Sequence, residues 1–298
     1  MGVFRRLALL SGAATAAAGY RRLAHPPRRR PARLRLAPVV VGHRGAAGLA
    51  PENTIEACLV AVETWGAEAV EVDVRATADG ACVLLHDPTV ERTTDGVGAV
   101  HELTLADLRT LDAGYRFATE DARAFPFRGR GVLIPTFGEL LEAVPHALIL
   151  VDLKTRRAAE PLADAIASAS ASDRVIVAGE RLADRGPLLD YSGPTAMARE
   201  DTVRFFAAHH AGLRRFWRPT ADLACLPERH RGLRLLTPGV IRGFHERGLA
   251  LWVWTVDDAG DMARLIDWGA DGILTDRPDV LHRVLAEEVG RPAPAGRG

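Results

Sequence analysis

The segment Ala69–Arg75 reads AVEVDVR. Apolar and polar residues alternate strictly, so Val70, Val72 and Val74 share one face and Glu71 and Asp73 the other. A period of two marks a strand. If the acidic face turns inward, the two carboxylates repel each other and lose hydration. A divalent cation is the simplest compensation, and oxygen-only ligands favour Mg²⁺ or Ca²⁺ over zinc. Alternation alone leaves a second arrangement open, with both acids facing solvent or the arginines of a neighbouring helix.

The same construction recurs along the chain. ALILVDLK (Ala147–Lys154) is apolar until it places Asp152 and Lys154 on one face at its end. VVVGHR (Val39–Arg44) ends in His43 and Arg44, with Gly42 and Gly45 beside them to let the backbone turn. CVLLHD (Cys82–Asp87) ends in His86. LALWVWTVDD (Leu249–Asp258) puts Trp252 and Trp254 on one face. Tryptophans two apart suit a core, but an indole at a strand's end also walls a pocket and donates one hydrogen bond. Any one polar strand end is ordinary. Two ending in histidine and two carrying acids are hard to explain as solvation.

Between these ends, apolar runs alternate with amphipathic stretches. Strands are expected at Val39–His43, Ala69–Val74, Ala147–Leu153, Arg174–Val177, Thr195–Ala198, Leu213–Trp217, Ala250–Thr255 and Gly272–Thr275. Helices are expected at Thr54–Trp65, Phe137–Ala143, Ala158–Ala169, Thr202–His209, Pro238–Arg247, Ala259–Trp268 and Val280–Glu288. Thr237-Pro238 and Asp276-Arg277-Pro278 read as helix starts, a capping side chain ahead of a proline. Eight strands alternating with helices predict an α/β fold, a (β/α)8 TIM barrel. Val74 to Ala147 is too long for a single helix, and it holds TTDGVG (Thr93–Gly98) and a short helix at Thr104–Leu111. It reads as a small insertion on the loop after strand 2, where barrels carry function.

The 298 residues divide as a basic leader (1–36), the barrel (37–289) and a flexible tail (290–298). Lys plus Arg and Asp plus Glu both number 38, and this balance argues against nucleic-acid binding. Cys58, Cys82 and Cys225 show neither metal-ligand spacing nor a disulfide framework and read as reduced, buried thiols. The leader pairs Arg5 and Arg6 with a short alanine-rich stretch and a Pro/Arg run. Three readings stand: an export signal, a peripheral membrane anchor, or a disordered leader. Localisation is accordingly cytoplasmic, membrane-associated or exported.

Taken together, HRGAAGLAPENTIEA (His43–Ala57), EVDVRATADGACVLLHDPTVERTTDG (Glu71–Gly96), VDLK (Val151–Lys154) and WVWTVDDAGDMARLIDWGADGILTDRPDVL (Trp252–Leu281) resemble the glycerophosphodiester phosphodiesterase family of TIM barrels. The resemblance implies metal-dependent hydrolysis of glycerophosphodiesters to glycerol 3-phosphate and an alcohol. It implies His43 and His86 as the acid–base pair, Arg44 and Lys154 at the phosphate, and Trp254 on the pocket wall. Glu71, Asp73 and Asp152 would hold one divalent cation, Mg²⁺ or Ca²⁺, and Glu52 and Asn53 would border the site. Family members often carry glutamate where this chain has Asp152, one methylene shorter, which bears on cation affinity and choice. The short insertion implies an open pocket without a lid domain.

On this reading His43 is the base and His86 the acid, an assignment that the residues also allow in reverse. The nucleophile is water or the substrate's own 2-hydroxyl. The alternatives are a phospholipase D-type enzyme acting on lysophospholipids and a non-catalytic phosphodiester-binding barrel. A binder would not need both histidines.

Overall fold

The computed structural model describes Leu34, residues 38–119 and residues 121–292. The basic leader, Leu34 apart, and most of the tail lie outside the described residues. Among the described residues no helix is long and apolar enough to cross a membrane.

The strands are β1 (Val39–Gly42), β2 (Ala69–Ala76), β3 (Cys82–Leu84), β4 (Leu148–Leu153), β5 (Val175–Gly179), β6 (Leu223–Pro227), β7 (Arg229–His230), β8 (Leu233–Arg234), β9 (Ala250–Trp254) and β10 (Gly272–Thr275). Seven of them pair in parallel in the order β5-β4-β2-β1-β10-β9-β6. Thr195 and Ala196 close the ring, Thr195 bridging to Val177 of β5 and Ala196 to Leu223 of β6. The barrel is therefore eight-membered, with its fifth position only two residues long. Pro194, just before it, has no N–H to give to a longer ladder.

Strand alternation sorts the core into two layers. Val39, Val41, Leu148, Leu150, Ile176 and Trp252 fill the barrel. Val40, Val70, Val72, Val74, Ile149 and Val151 face outward into the layer beneath the helices. The helices start where the sequence provides caps. Thr54, Thr136, Thr237 and Asp258 each accept a backbone N–H at the start of α1 (Ile55–Leu59), α3 (Phe137–Ala143), α6 (Pro238–Glu246) and α7 (Ala259–Asp267). The insertion after β2 carries the antiparallel β3 and α2 (Leu105–Leu108), and Val83, Leu85, Val90, Val100, Leu108 and Ile134 form its own small core.

Two expectations fail. Leu213–Trp217 is not a strand: Arg214–Phe216 forms a 3₁₀ turn and Phe216 is 66% exposed. Adjacent arginines cannot both be buried in a barrel wall that is covered on both faces. The sixth strand is Leu223–Pro227, a short apolar run that ends in a proline and is not among the expected strands. Thr195–Ala198 shrinks to the two bridging residues. Trp252 and Trp254 share a face but lie at different depths. Trp252 is fully buried in the barrel, whereas Trp254, at the C-terminal end of β9, is 42% exposed.

Candidate active site

The inner face of β2 decides the first question raised by the sequence. Glu71 and Asp73 are both buried, and they point into the barrel above the apolar layer. Asp73 stands in register with Asp152 of β4. Both acids lie near the C-terminal ends of their strands, the end at which barrels carry out chemistry.

Lys154 bridges the two aspartates, its Nζ 2.8 Å from Asp73 Oδ1 and 2.6 Å from Asp152 Oδ2. Asn53 clamps Asp73 from the other side: its Nδ2 donates to Asp73 Oδ2 at 2.9 Å, and its Oδ1 accepts from the Asp73 backbone N–H at 3.0 Å. Burial pushes the Asp73 carboxyl upward, but Lys154, Arg44 and Asn53 outweigh it and hold the group below the usual range. Glu71 goes the other way. Burial and repulsion from Asp73 push it up to about 7, with His43 opposing and Asp152 adding to the rise.

His43 follows β1, its backbone N–H bonded to Thr275 of β10. Its Nδ1 lies 2.6 Å from Asp276 Oδ1 and its Nε2 3.9 Å from Glu71 Oε2. A carboxylate accepts only, so Nδ1 donates and Nε2 is the atom turned to the site. Burial lowers the His43 pKa, but the bond to Asp276 and the charges of Glu71 and Asp276 raise it further, to a net value above the usual. Asp276 is itself fixed by Asp257, whose Oδ1 accepts from the Asp276 backbone N–H and from the Thr275 hydroxyl, both at 2.8 Å. The sequence reading took Asp276 as a cap for the helix α8 (Pro278–Val289). That helix has no side-chain cap, and Asp276 serves the histidine instead.

The turn after His43 requires its glycines. Gly45 has φ +87°, and a Cβ at Gly42 would sit 1.9 Å from the Gly45 carbonyl oxygen. The tight turn brings Arg44, itself at φ +49°, over the acids. Its backbone N–H donates to Glu71 Oε2 at 3.0 Å, and its guanidinium donates to Glu52 Oε1 at 2.8 Å. Its Nε is buried without a hydrogen bond, 3.4 Å from Asp73 Oδ2.

His86 lies beyond β3, on the insertion. Its Nδ1 is 2.7 Å from Asp87 Oδ1, and its carbonyl accepts from Arg75 Nε and Nη2. Arg92 bonds to Asp87 and reaches Glu52 at 2.6 and 2.7 Å, tying the His86 end to the Arg44 end. The bond from Arg92, aided by His86, outweighs burial and draws the Asp87 carboxyl down to about 2.

The structure thus joins His43, Arg44, Glu52, Asn53, Glu71, Asp73, Asp152 and Lys154 in one network of contacts and connects His86 to it through Asp87 and Arg92. Trp254 stands at the same end of the barrel. Sequence reasoning missed Asp276, Asp87, Arg92 and Asp257. For Asp87 the signal was the carboxylate adjacent to His86. For Asp276 it was an acid closing the last barrel strand, as His43 closes the first. Among the described residues no three His, Cys, Asp or Glu side chains converge closely enough to hold a metal, and the Lys154 ammonium occupies the position between two of the acids. The donors nevertheless suit a hard cation. All are carboxylate oxygens, and Glu71 and Asp73 are buried close enough to repel each other.

Comparison with known proteins places the chain in a family. Residues 43–280 match the model of the "Glycerophosphoryl diester phosphodiesterase family". The chain is 33% identical over 254 residues to a probable glycerophosphodiester phosphodiesterase 2 of Mycobacterium tuberculosis, covering 83% of this chain and 90% of that one. It is 32% identical over 254 residues to a glycerophosphodiester phosphodiesterase of Caldanaerobacter subterraneus, covering 83% and 97%. The crystal structure of a glycerophosphoryl diester phosphodiesterase domain from M. tuberculosis shares the fold, with a TM-score of 0.75 at 22% identity over 83% of this chain and 98% of that one. With this match along most of its length, the chain belongs to the glycerophosphoryl diester phosphodiesterase family.

Proposed function

We propose that this protein hydrolyses glycerophosphodiesters to glycerol 3-phosphate and an alcohol, with His43 and His86 moving the protons. As a member of its family it is a phosphoric diester hydrolase. One observation carries the finer reading: two imidazoles, each oriented through Nδ1 by a carboxylate, lie at the same end of the barrel as Arg44 and Lys154.

A phosphodiester gains charge on its oxygens in the transition state, so catalysis is mainly positioning and charge stabilisation. Arg44 and Lys154 supply fixed positive charge, and Glu52 and Asn53 hold the groups around them in place. His43 takes a proton at Nε2 from the attacking water or 2-hydroxyl, and Asp276 stabilises the imidazolium that forms. His86, protonated, gives its proton to the leaving alkoxide and becomes neutral. This division follows depth: the His43 side chain is 17% exposed and the His86 side chain 35%. A variable alcohol needs the more open side. Glu71, Asp73 and Asp152 are the residues that would hold Mg²⁺ or Ca²⁺, which when bound supplies further positive charge to the phosphate oxygens.

The test is to incubate the purified protein with glycerophosphocholine and, separately, lysophosphatidylcholine, before and after chelation, and to identify products by ³¹P NMR. The expected result is glycerol 3-phosphate from glycerophosphocholine, lost on chelation and restored by Mg²⁺ or Ca²⁺. Cleavage of the lysolipid alone would move the activity to lipids. Undiminished turnover after chelation, with no metal by elemental analysis, would remove the cation. A transient cyclic phosphate would identify the 2-hydroxyl as nucleophile.

A further inference from the structure

Just outside the site lies a recess of about 370 Å³, walled by Arg75, Pro88, Val100, His101, Thr155 and Arg157. Three of these side chains are basic and none is acidic. The nearest acid to His101 is Glu102, 3.9 Å from its Nε2. Three of these residues continue a strand end or loop of the active site. Arg75 shares the inward parity of Glu71 and Asp73, one step nearer the mouth. Pro88 follows Asp87, and Thr155 follows Lys154. Arg75 also donates twice to the His86 carbonyl, at 2.9 and 2.7 Å, so the recess adjoins the histidine assigned to the leaving alkoxide.

The far end of the alcohol would therefore lie here. Arginine forks suit carboxylate and phosphate oxygens, and the Thr155 hydroxyl adds a donor. An alcohol ending in ammonium would meet only like charge from the recess wall. We propose that this recess is an anion subsite for the alcohol, so that the enzyme favours glycerophosphodiesters whose alcohol carries a carboxylate or a phosphate. The inference rests on the proposed function and on His86 serving the leaving group.

Two substrate pairs isolate the anion. Glycerophosphoserine differs from glycerophosphoethanolamine by one carboxylate, and glycerophosphoinositol 4-phosphate differs from glycerophosphoinositol by one phosphate. The expected result is a kcat/KM about tenfold higher for the anionic member of at least one pair, the size of one charge-assisted hydrogen bond. Whichever pair responds names the anion. Arg157→Gln, and independently His101→Gln, should bring that ratio towards one. Equal kcat/KM within both pairs, or a ratio unmoved by both substitutions, overturns the subsite alone. Failure to cleave any of the four substrates overturns the proposed function and the subsite with it.

Discussion

The two histidines have the same local arrangement on different supports. His43 belongs to the barrel frame. Its carboxylate partner lies 233 residues away in sequence, and Asp257 buttresses that partner in turn. His86 belongs to the insertion. Its partner is the next residue, held by a half-exposed Arg92, and the strand before it is shared, Cys82 and Leu84 packing on the main core and Val83 on the insertion's own small core. The same imidazole–carboxylate chemistry is therefore available with two degrees of rigidity. On the proposed function, the histidine braced by the barrel faces the invariant phosphoryl group, and the one on the insertion faces the alcohol that varies.

Four experiments would break or sharpen that contrast. Removing either imidazole should have the largest effect: His43→Ala and His86→Ala should each lower kcat by about 10²–10⁴-fold. Near-normal turnover in either would end its acid–base role. Next come the orienting carboxylates. Asp276→Asn should cost about 10–100-fold, as orienting partners typically do, and Asp87→Asn less, because Arg92 and solvent already share that carboxylate. If the order is reversed, the barrel-held histidine is not the more constrained one.

The third compares the supports themselves. Leu108→Ala, in the core of the insertion, should destabilise that region by about 2–5 kcal/mol. Hydrogen exchange should rise around β3 and His86 while β1 and His43 keep their protection. A uniform rise across the barrel would show a single cooperative unit. The smallest effect is a pH trend. Glu71 has a folded pKa above its unfolded value, so its ionisation opposes folding, with no penalty below the unfolded value and the full penalty above the folded one. Metal-free protein should therefore lose thermal stability as pH rises towards 7, and a divalent cation should reduce that loss. Asp87 is shifted the other way. Its stabilisation is present above its unfolded value and is lost only as pH falls through about 2. Thermal scans from pH 2 to 8, with and without chelator, would separate the two.

The legible parts of this molecule were those written in local periodicity. The alternation around Glu71 and Asp73 identified the inner face because neighbouring residues alone set it. Asp152 and Lys154 were legible because they interrupt a fully apolar run. Asp276 was not, because a carboxylate ahead of Arg-Pro looks like a helix cap until the ring closes and brings His43 beside it. Arg92 likewise acquires its role only when Glu52, 40 positions earlier, comes within reach. LRRFW mimicked strand composition and LACLP concealed it. Burial on both faces separates the two, and no single strand's sequence shows what will cover it.

The two-residue fifth position gives the ring a seam. There two short ladders hold the backbone: Val177 N–H to Pro194 and Ala196 N–H to Val177 on one side, Leu223 N–H to Thr195 and Met197 N–H to Leu223 on the other. Across the barrel, β1 and β10 pair through four residues and carry the His43–Asp276 contact. Of the residues of the site, all but Trp254, Asp257 and Asp276 precede Gly179 in the chain, and Asp276 follows β10 beside β1, so a motion that parts the fifth position from its neighbours would leave the His43–Asp276 contact in place. On the proposed function, opening at the seam should therefore leave turnover unchanged.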